Sequence, residues 1–393
     1  MEAIPLILLI LQLPATLILL ARLLKGAIRR PPLTKQEMAS DLIGKVTIVV
    51  PTLNEFARIT PCLEGLTVQS NAVREIIVVD SNSQDGTQDK VKQARVADTR
   101  FRLTQDPPLP PGWVGRPWAL HNGFLESSQE SEWILGIDAD TQPQPGLVET
   151  IVKVAEEEGY DILSLSPQFI LQYPGEWWLQ PALLMTLLYR FESSGVKQPS
   201  PETVMANGQC FLVRRSVLTK LGGYEVAANS FCDDVTLARQ AAKAGFSVGF
   251  LDGANMIKVR MYEGFRETWQ EWGRSLDLKD ATSLGQLWHE LWLLLSVQGL
   301  PIPISLLLLG FFWTGSNYLF LLIATGLNLF LVLIRFALLW AIYPSYYRIQ
   351  AFSPAAWLFW LSPLADPLAV ARILLSAQRN PTQWRGRVYA KSS

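Results

Sequence analysis

Cysteine and histidine are scarce in this chain. Its three cysteines (Cys62, Cys210 and Cys232) are widely spaced and form no Cys-x-x-Cys pair, which argues against a zinc ribbon or a disulfide framework and fits a reducing compartment. The two histidines, His121 and His289, build neither a metal set nor a Ser-His-Asp arrangement. His121 is expected to pack or hydrogen-bond in its helix, and His289 to sit near a membrane boundary. No Walker loop and no dinucleotide glycine fingerprint occurs. Surplus charge is missing too. Lys and Arg number 34 against 35 Asp and Glu, a net charge of -1, so no large basic surface is present for nucleic acid.

Apolar residues are what the chain has in quantity: 49% of 393 positions, against only 18% charged. They are unevenly spread. Residues 4–24 are apolar except for Gln12 and Arg22, with Pro5 and Pro14 inside the run, long enough to span a bilayer at about 1.5 Å per residue. A secretory signal is the rival reading. Against it, Glu2 rather than a basic region precedes the run, and no small-x-small site follows. Arg22, Lys25, Arg29 and Arg30 follow instead, and positive charge marks the cytoplasmic side. The expectation is an integral membrane protein with an anchor at 1–26, a linker at 27–44 and a soluble domain at 45–280 facing the cytoplasm.

From Lys45 short apolar runs alternate with amphipathic ones. Strands are predicted at 45–50, 75–80, 100–103, 132–138, 161–165 and 209–213, and helices at 57–69, 87–97, 118–127 and 235–243. Such alternation predicts an α/β domain, a mixed but mostly parallel sheet with helices on both faces and ligands at the carboxyl ends of the strands. Residues 179–191, after the pair Trp177-Trp178, are apolar but short for a span. They read either as a core helix or as an interfacial one.

Membrane character returns at 281–378. Residues 287–309 and 318–342 are two strong span candidates, with Arg335 costly inside the second unless it faces protein or snorkels. Residues 354–377, broken by Pro363 and Pro367 and carrying Asp366 and Arg372, make a weaker third candidate. Crossing there would place the basic tail 379–393 outside, so a re-entrant or interfacial segment is expected.

Four stretches carry the chemistry. Pro51-Thr52-Leu53-Asn54-Glu55 follows the first strand, and Asp80-Ser81-Asn82-Ser83-Gln84-Asp85-Gly86-Thr87 follows the second. Asp138-Ala139-Asp140 ends an apolar strand, and Asp233-Asp234 opens a helix. Taken singly each has a plain structural reading: an Asp-rich turn, a cap, helix-starting acids at a favourable dipole end. Taken in order, all at strand or helix ends, they describe one site. Hard carboxylate oxygens suit magnesium or manganese, which in turn holds a diphosphate.

Over 45–280 these motifs resemble the membrane-bound members of glycosyltransferase family 2, which carry the nucleotide-sugar fold called GT-A, a Rossmann-like sheet here flanked by transmembrane helices. The block Pro111-Gly112-Trp113-Val114-Gly115-Arg116-Pro117-Trp118-Ala119 is similar to one in carotenoid- and hopanoid-associated glycosyltransferases, as are Met261-Tyr262-Glu263-Gly264-Phe265-Arg266 and Trp384-Arg385-Gly386-Arg387.

The resemblance implies transfer of a sugar from a nucleotide-sugar donor, a UDP-sugar, to a lipophilic acceptor, a carotenoid within this subgroup, with inversion. The alternatives are hopanoid, glycolipid or polyprenyl-phosphate acceptors, a polysaccharide synthase, and an inactive scaffold. It further implies Pro51, Thr52, Glu55 and Asp80 around the nucleoside, with Asp80 as the acid on the base or, in the plain reading, a turn cap. Many relatives have a second acid where this chain has Ser81. Asp140 would bind the Mg2+ or Mn2+ directly and Asp138 the ribose or the metal through water. Asp234 would be the catalytic base, with Asp233 orienting its surroundings. Arg116, where many relatives have Lys, either contacts phosphate or caps and solvates its helix. Gln270-Glu271-Trp272-Gly273-Arg274 departs from the Gln-x-x-Arg-Trp motif of chain-elongating relatives, which argues for single-sugar transfer and leaves Arg274 as a candidate diphosphate contact.

Overall fold

After an apolar first helix, α1 (Ala3–Ala27), the chain enters strand β1 (Val46–Thr52), where the side-chain period of two sorts residues between two apolar layers. Ile48 and Val50 face one layer and Val49 the other, and the next strand, β2 (Val73–Asp80), repeats the division with Ile76 and Val78 against Ile77 and Val79. A strand buried on both faces needs helices on both. α2 (Thr60–Thr67) and α3 (Thr87–Ala97) contribute Leu63, Leu66 and Val91 to the first layer. After β3 (Phe101–Gln105), α4 (Gly115–Glu126) contributes Ala119, Leu120 and Phe124 to the second. The chain is a computed structural model that describes residues 3–37, 40–197, 200–275, 282–313, 319–347, 355–378, 383–384 and 387–388.

The rest of the domain completes this pattern. β4 (Trp133–Ile137) is followed by the short β5 (Thr141–Pro143), α5 (Leu147–Glu158), β6 (Ile162–Ser166) and the two-residue β7 (Gln168–Phe169). Helix α6 (Pro174–Arg190) intervenes before β8 (Cys210–Arg214), α7 (Arg215–Leu221), α8 (Asp233–Lys243), β9 (Val248–Asp252) and β10 (Ile257–Val259). α5 joins the first layer and α7 and α8 the second.

The main sheet runs β3-β2-β1-β4-β8-β6-β9, parallel except for β8, which is antiparallel to both neighbours. A small sheet, β5-β10-β7, lies apart from it. The chain steps from β1 outward through β2 and β3, then returns to the other side of β1 with β4. The order therefore reverses between β1 and β4, the place where sheets of this kind open a crevice at their carboxyl edge. Pairing of β1 with β4 stops at Val49 and Gly136, short of Pro51, whereas pairing with β2 continues to Thr52 and Asp80. α4 reaches β1 closely: a Cβ at Gly123 would stand 2.3 Å from Cγ1 of Val49.

The chain divides into two units. One comprises Arg30–Ile170, Ser194–Met261 and Pro381–Ser393, and holds these two sheets. The other comprises Met1–Arg29, Leu171–Ser193 and Tyr262–Asn380. Residues 171–193 and 262–280, inside the stretch 45–280, fall in this second unit. Helix α6 groups with the apolar helices, its core positions Leu179, Leu183, Met185 and Tyr189 fully buried and Trp178 half-buried. α9 (Gly264–Ser275) groups with them as well, with Trp272 buried beside Tyr262 and Trp269 half-buried in a stack with Phe265.

Among the described residues, three helices of this second unit are long and apolar enough to cross a membrane: Ala3–Ala27, Leu319–Ser345 and Ala356–Gln378. The strong candidate at 287–309 is not one straight helix. α10 (Leu284–Leu294) runs into a π-turn (Leu295–Gly299), and α11 (Pro301–Trp313) leaves it bent by 51°. Pro301 supplies no N–H to carry the helical ladder across the break. Conversely, the weaker candidate holds together as a short 3₁₀ stretch, Ala356–Ala365, continuing into α13 (Asp366–Gln378).

Arg335, on α12 (Leu319–Ile342), faces protein: its Nε lies 2.7 Å from Oδ2 of Asp366, and its Nη2 reaches Oδ1 at 3.1 Å and the Ser362 hydroxyl at 3.3 Å. Gln298, within the π-turn, donates its side-chain amide to the same carboxylate. Gln12 and Asn328 exchange side-chain hydrogen bonds at 2.9–3.0 Å. Of the basic tail only Gln383–Trp384 and Arg387–Val388 are described, an antiparallel pair.

Candidate active site

Three strand ends and two helix starts meet at the carboxyl edge. The loops after β1 and β2 are pinned to one another. Backbone amides of Asn54, Glu55 and Phe56 donate in turn to the Ser83 hydroxyl, the Thr87 hydroxyl and the Asp85 carboxylate, at 2.8, 2.9 and 2.9 Å. Asn54 and Asn82 adopt positive φ of 55° and 66°, which Asn tolerates better than other side chains. Asp80 is the keystone of this pair. It is wholly buried, one oxygen accepting from the Ser83 amide (2.9 Å) and the Gln88 side chain (2.7 Å), the other from the Thr52 hydroxyl (3.2 Å). Asp85 and Thr87 form the turn into α3. Pro51 and Thr52 lie on β1 itself, and Glu55 is buried just beyond it.

Beside Ser81 stands Asp106. The Ser81 hydroxyl donates to its carboxylate at 2.7 Å. Asp106 follows β3 and belongs to no local motif, so only the parallel pairing of β2 and β3 brings it to Ser81.

β4 delivers Asp138 to the other wall of the crevice. Thr141 turns back on it, its amide and hydroxyl both donating to the Asp138 carbonyl, at 3.2 and 2.7 Å. Asp138 and Asp140 thus project from one tight turn, both half-buried.

Arg116 is the residue whose setting the motif least foretold. It lies in the first turn of α4, where a cation opposes the helix dipole. Its partners account for that placement. Nε donates to Oδ1 of Asp138 at 2.9 Å, Nη1 to Oδ2 of Asp233, and Nη2 to the Gly208 carbonyl at 2.7 Å. With only 14% of its side chain exposed, it does not act as a solvated cap.

The acidic pair opens α8 as expected. Asp233 is buried against Arg116, while Asp234 accepts from the Gly208 amide at 2.6 Å and from the Val235 amide at 2.9 Å. Burial pushes both carboxyls above the usual range, with the Arg116 guanidinium opposing the rise. Burial also works against the charge on Arg116, but Asp138 and Asp233 outweigh it and hold the guanidinium protonated. Gly208, just before β8, carries no motif; its role is visible only once β8 pairs antiparallel with β4.

Arg274 sits near the end of α9, and its side chain lies outside the described residues. His121 accepts from the Tyr224 amide at 3.3 Å and stacks against Trp118. His289 is exposed and packs against Trp292.

A reversed strand order with acids at its carboxyl edge, and one antiparallel strand inserted beside β4, is the sheet of the GT-A fold. Comparison with known proteins agrees. Residues 47–222 match the glycosyl transferase family 2 model. The mannosyltransferase PcManGT from Pyrobaculum calidifontis, solved in complex with GDP-Man and Mn2+, aligns over 96% of this chain and 97% of its own, with a TM-score of 0.50 and 17% identity, a likeness of fold.

Among curated proteins, a 4,4'-diaponeurosporenoate glycosyltransferase of Staphylococcus haemolyticus is 23% identical over 59% of this chain and 60% of its own length. An undecaprenyl-phosphate 4-deoxy-4-formamido-L-arabinose transferase of Serratia proteamaculans is 33% identical over 31% of this chain and 36% of its own. The chain spans less than two thirds of the length of the curated relatives it matches.

Proposed function

We propose that this protein is a membrane-bound, inverting glycosyltransferase that moves one sugar from a UDP-sugar to a hydroxyl of a lipophilic acceptor of the carotenoid class. The observation that carries the reading is the joining of Asp138, at the switch point of the sheet, to the Asp233-Asp234 pair through Arg116. A donor carboxylate and a candidate base thus share one buried assembly. The name of the Staphylococcus relative supports the carotenoid-class acceptor. The basic residues Arg22, Lys25, Arg29 and Arg30 after the first apolar helix support a cytoplasmic catalytic domain.

Among the described residues no group of three or more His, Cys, Asp or Glu could hold a metal ion. Asp138 and Asp140 are two hard-oxygen donors on one turn, a fit for Mg2+ or Mn2+ whose remaining ligands come from a diphosphate and water. Asp140 would hold the ion, which when bound supplies Lewis-acid stabilisation of the departing diphosphate. The chain's own work is different. The locked loops bearing Thr52, Glu55 and Asp80 shape the nucleoside side, Asp233 fixes Arg116, and Asp234 takes the acceptor's proton.

The test is release of nucleoside diphosphate from UDP- and GDP-sugars by the full chain in carotenoid-containing membranes, with Mg2+ or Mn2+, with EDTA, and in Asp140→Ala. Turnover is expected with cation and wild-type enzyme alone. Full turnover surviving both EDTA and the substitution overturns the cation assignment. No turnover on any donor overturns the transferase reading.

A further inference from the structure

Arg116 has a guanidinium that is already spoken for. Each of its three nitrogens meets an acceptor of the protein: Asp138, Asp233 and the Gly208 carbonyl. Two of the three are carboxylates, the strongest acceptors a guanidinium meets in a protein. A phosphate entering here would compete with both.

Gly208 extends the contact. Its carbonyl holds Nη2 of Arg116 while its own amide holds Oδ2 of Asp234 at 2.6 Å. One peptide residue therefore connects the guanidinium to the candidate base. There is no spare room in the connection: a Cβ at position 208 would lie 2.4 Å from Nη2 and 2.8 Å from Cζ of Arg116. The φ of Gly208 is not in the left-handed region, so its lack of a side chain answers to Arg116 and not to backbone strain. The neighbours brace the same peptide. The Gln209 amide donates to the Asn207 side chain at 2.9 Å, and the Asn207 amide to the Ser164 hydroxyl at 3.2 Å.

We infer that Arg116 is a positioning residue rather than a donor ligand, and that Gly208 is its partner. Together they set where the base carboxylate of Asp234 stands relative to Asp138. This deepens the transferase reading above and rests on it. The arrangement accounts for a cation in the first turn of a helix, for a glycine with no turn to make, and for the placement of Asp233 beside the base.

The experiment uses the full chain in lipid nanodiscs, comparing wild type, Arg116→Gln, Gly208→Ala and the double variant. Binding of Mn2+ with UDP, and of Mn2+ with GDP, is measured by calorimetry, and turnover separately with the donor that wild type accepts. A positioning role keeps nucleoside diphosphate affinity within about 3-fold in each variant while turnover falls roughly 100-fold, the cost of a reacting group about an ångström out of place. Because the two residues act as one unit, the double variant is expected to lose no more than the worse single.

A drop in affinity of about 30-fold or more in Arg116→Gln with turnover at saturation retained makes Arg116 a donor ligand and overturns the inference. So does full turnover in Gly208→Ala, or multiplication of the two losses in the double variant. If Gly208→Ala fails to fold, the split between affinity and turnover in Arg116→Gln decides alone. Wild type without turnover on any donor defeats the transferase reading itself, an outcome seen without any variant.

Discussion

Asp138 and Asp233, from opposite halves of the domain sequence, share a single guanidinium, with Nε of Arg116 on one and Nη1 on the other. The relationship ties the end of the central parallel strand β4 to the start of α8. Losing it leaves a buried, uncompensated carboxylate at Asp233, so its consequences reach beyond one contact.

Asp234→Asn removes the proposed base and keeps an oxygen for the Gly208 amide. Turnover is expected to fall by about 10²–10⁴-fold with nucleoside diphosphate affinity unchanged. Single-turnover kinetics beside calorimetry check this; a variant that loses nucleotide binding instead shows that Asp234 holds the donor.

Burial raises the Asp234 carboxyl above the ordinary aspartate range, and the base must be ionised to work. The acid limb of the turnover profile should therefore lie at higher pH than an exposed aspartate would give, activity being lost as pH falls through the raised value. For stability the sign is opposite. A carboxyl raised on folding supports the fold fully below its unfolded pKa, and that support is lost as pH rises through the folded value. The melting temperature of Asp234→Asn, relative to wild type, should thus improve as pH rises from the ordinary aspartate value to the raised folded one and level off above it, whatever its constant offset. A flat difference across the range counts against the raised carboxyl.

Gly123→Ala forces a Cβ to within 2.3 Å of Val49 unless α4 lifts from β1. Overpacking of this kind costs about 1–3 kcal/mol. Thermal unfolding should show a lowered midpoint. Turnover per folded molecule should fall as well, because α4 carries Arg116 in its first turn.

Arg335→Ala leaves Asp366 buried without its ion-pair partner, a change that costs about 3–5 kcal/mol in comparable settings. Replacing both residues, Arg335→Met with Asp366→Leu, should recover most of the loss. Melting in detergent distinguishes the two outcomes, and equal destabilisation by the single and double changes would show that the pair is not the source.

Much of this was legible in the sequence. The strands β1, β2 and β4 announce themselves as largely apolar runs because helices cover both faces, and Thr52, Asp80 and Asp138, at or just past their ends, fall where a parallel sheet places ligands. Hydropathy said less about the shape of the later helices. A window average over 287–309 records apolarity and is blind to Pro301, which ends one helix and starts the next at an angle. It also penalised Asp366 and Arg372 as though each stood in lipid, although Asp366 is neutralised by Arg335.

Arg116 was visible as a residue and invisible as a bridge. Its three acceptors come from positions 138, 208 and 233, and no local pattern encodes their meeting. Asp106 escaped notice for the same reason, its partner Ser81 lying on the neighbouring strand's loop.

The reversed strand β8 has a consequence for anyone altering this protein. Its neighbours present their exits to the carboxyl edge, where loops vary freely in length, but β8 presents its entrance, and there the main chain itself faces the acids through the Gly208 carbonyl and amide. Changes of specificity are better grafted onto the exits of β1 to β3. An insertion of even one residue ahead of Cys210 would shift both polar groups of Gly208 out of register together, and no side-chain substitution elsewhere could restore them.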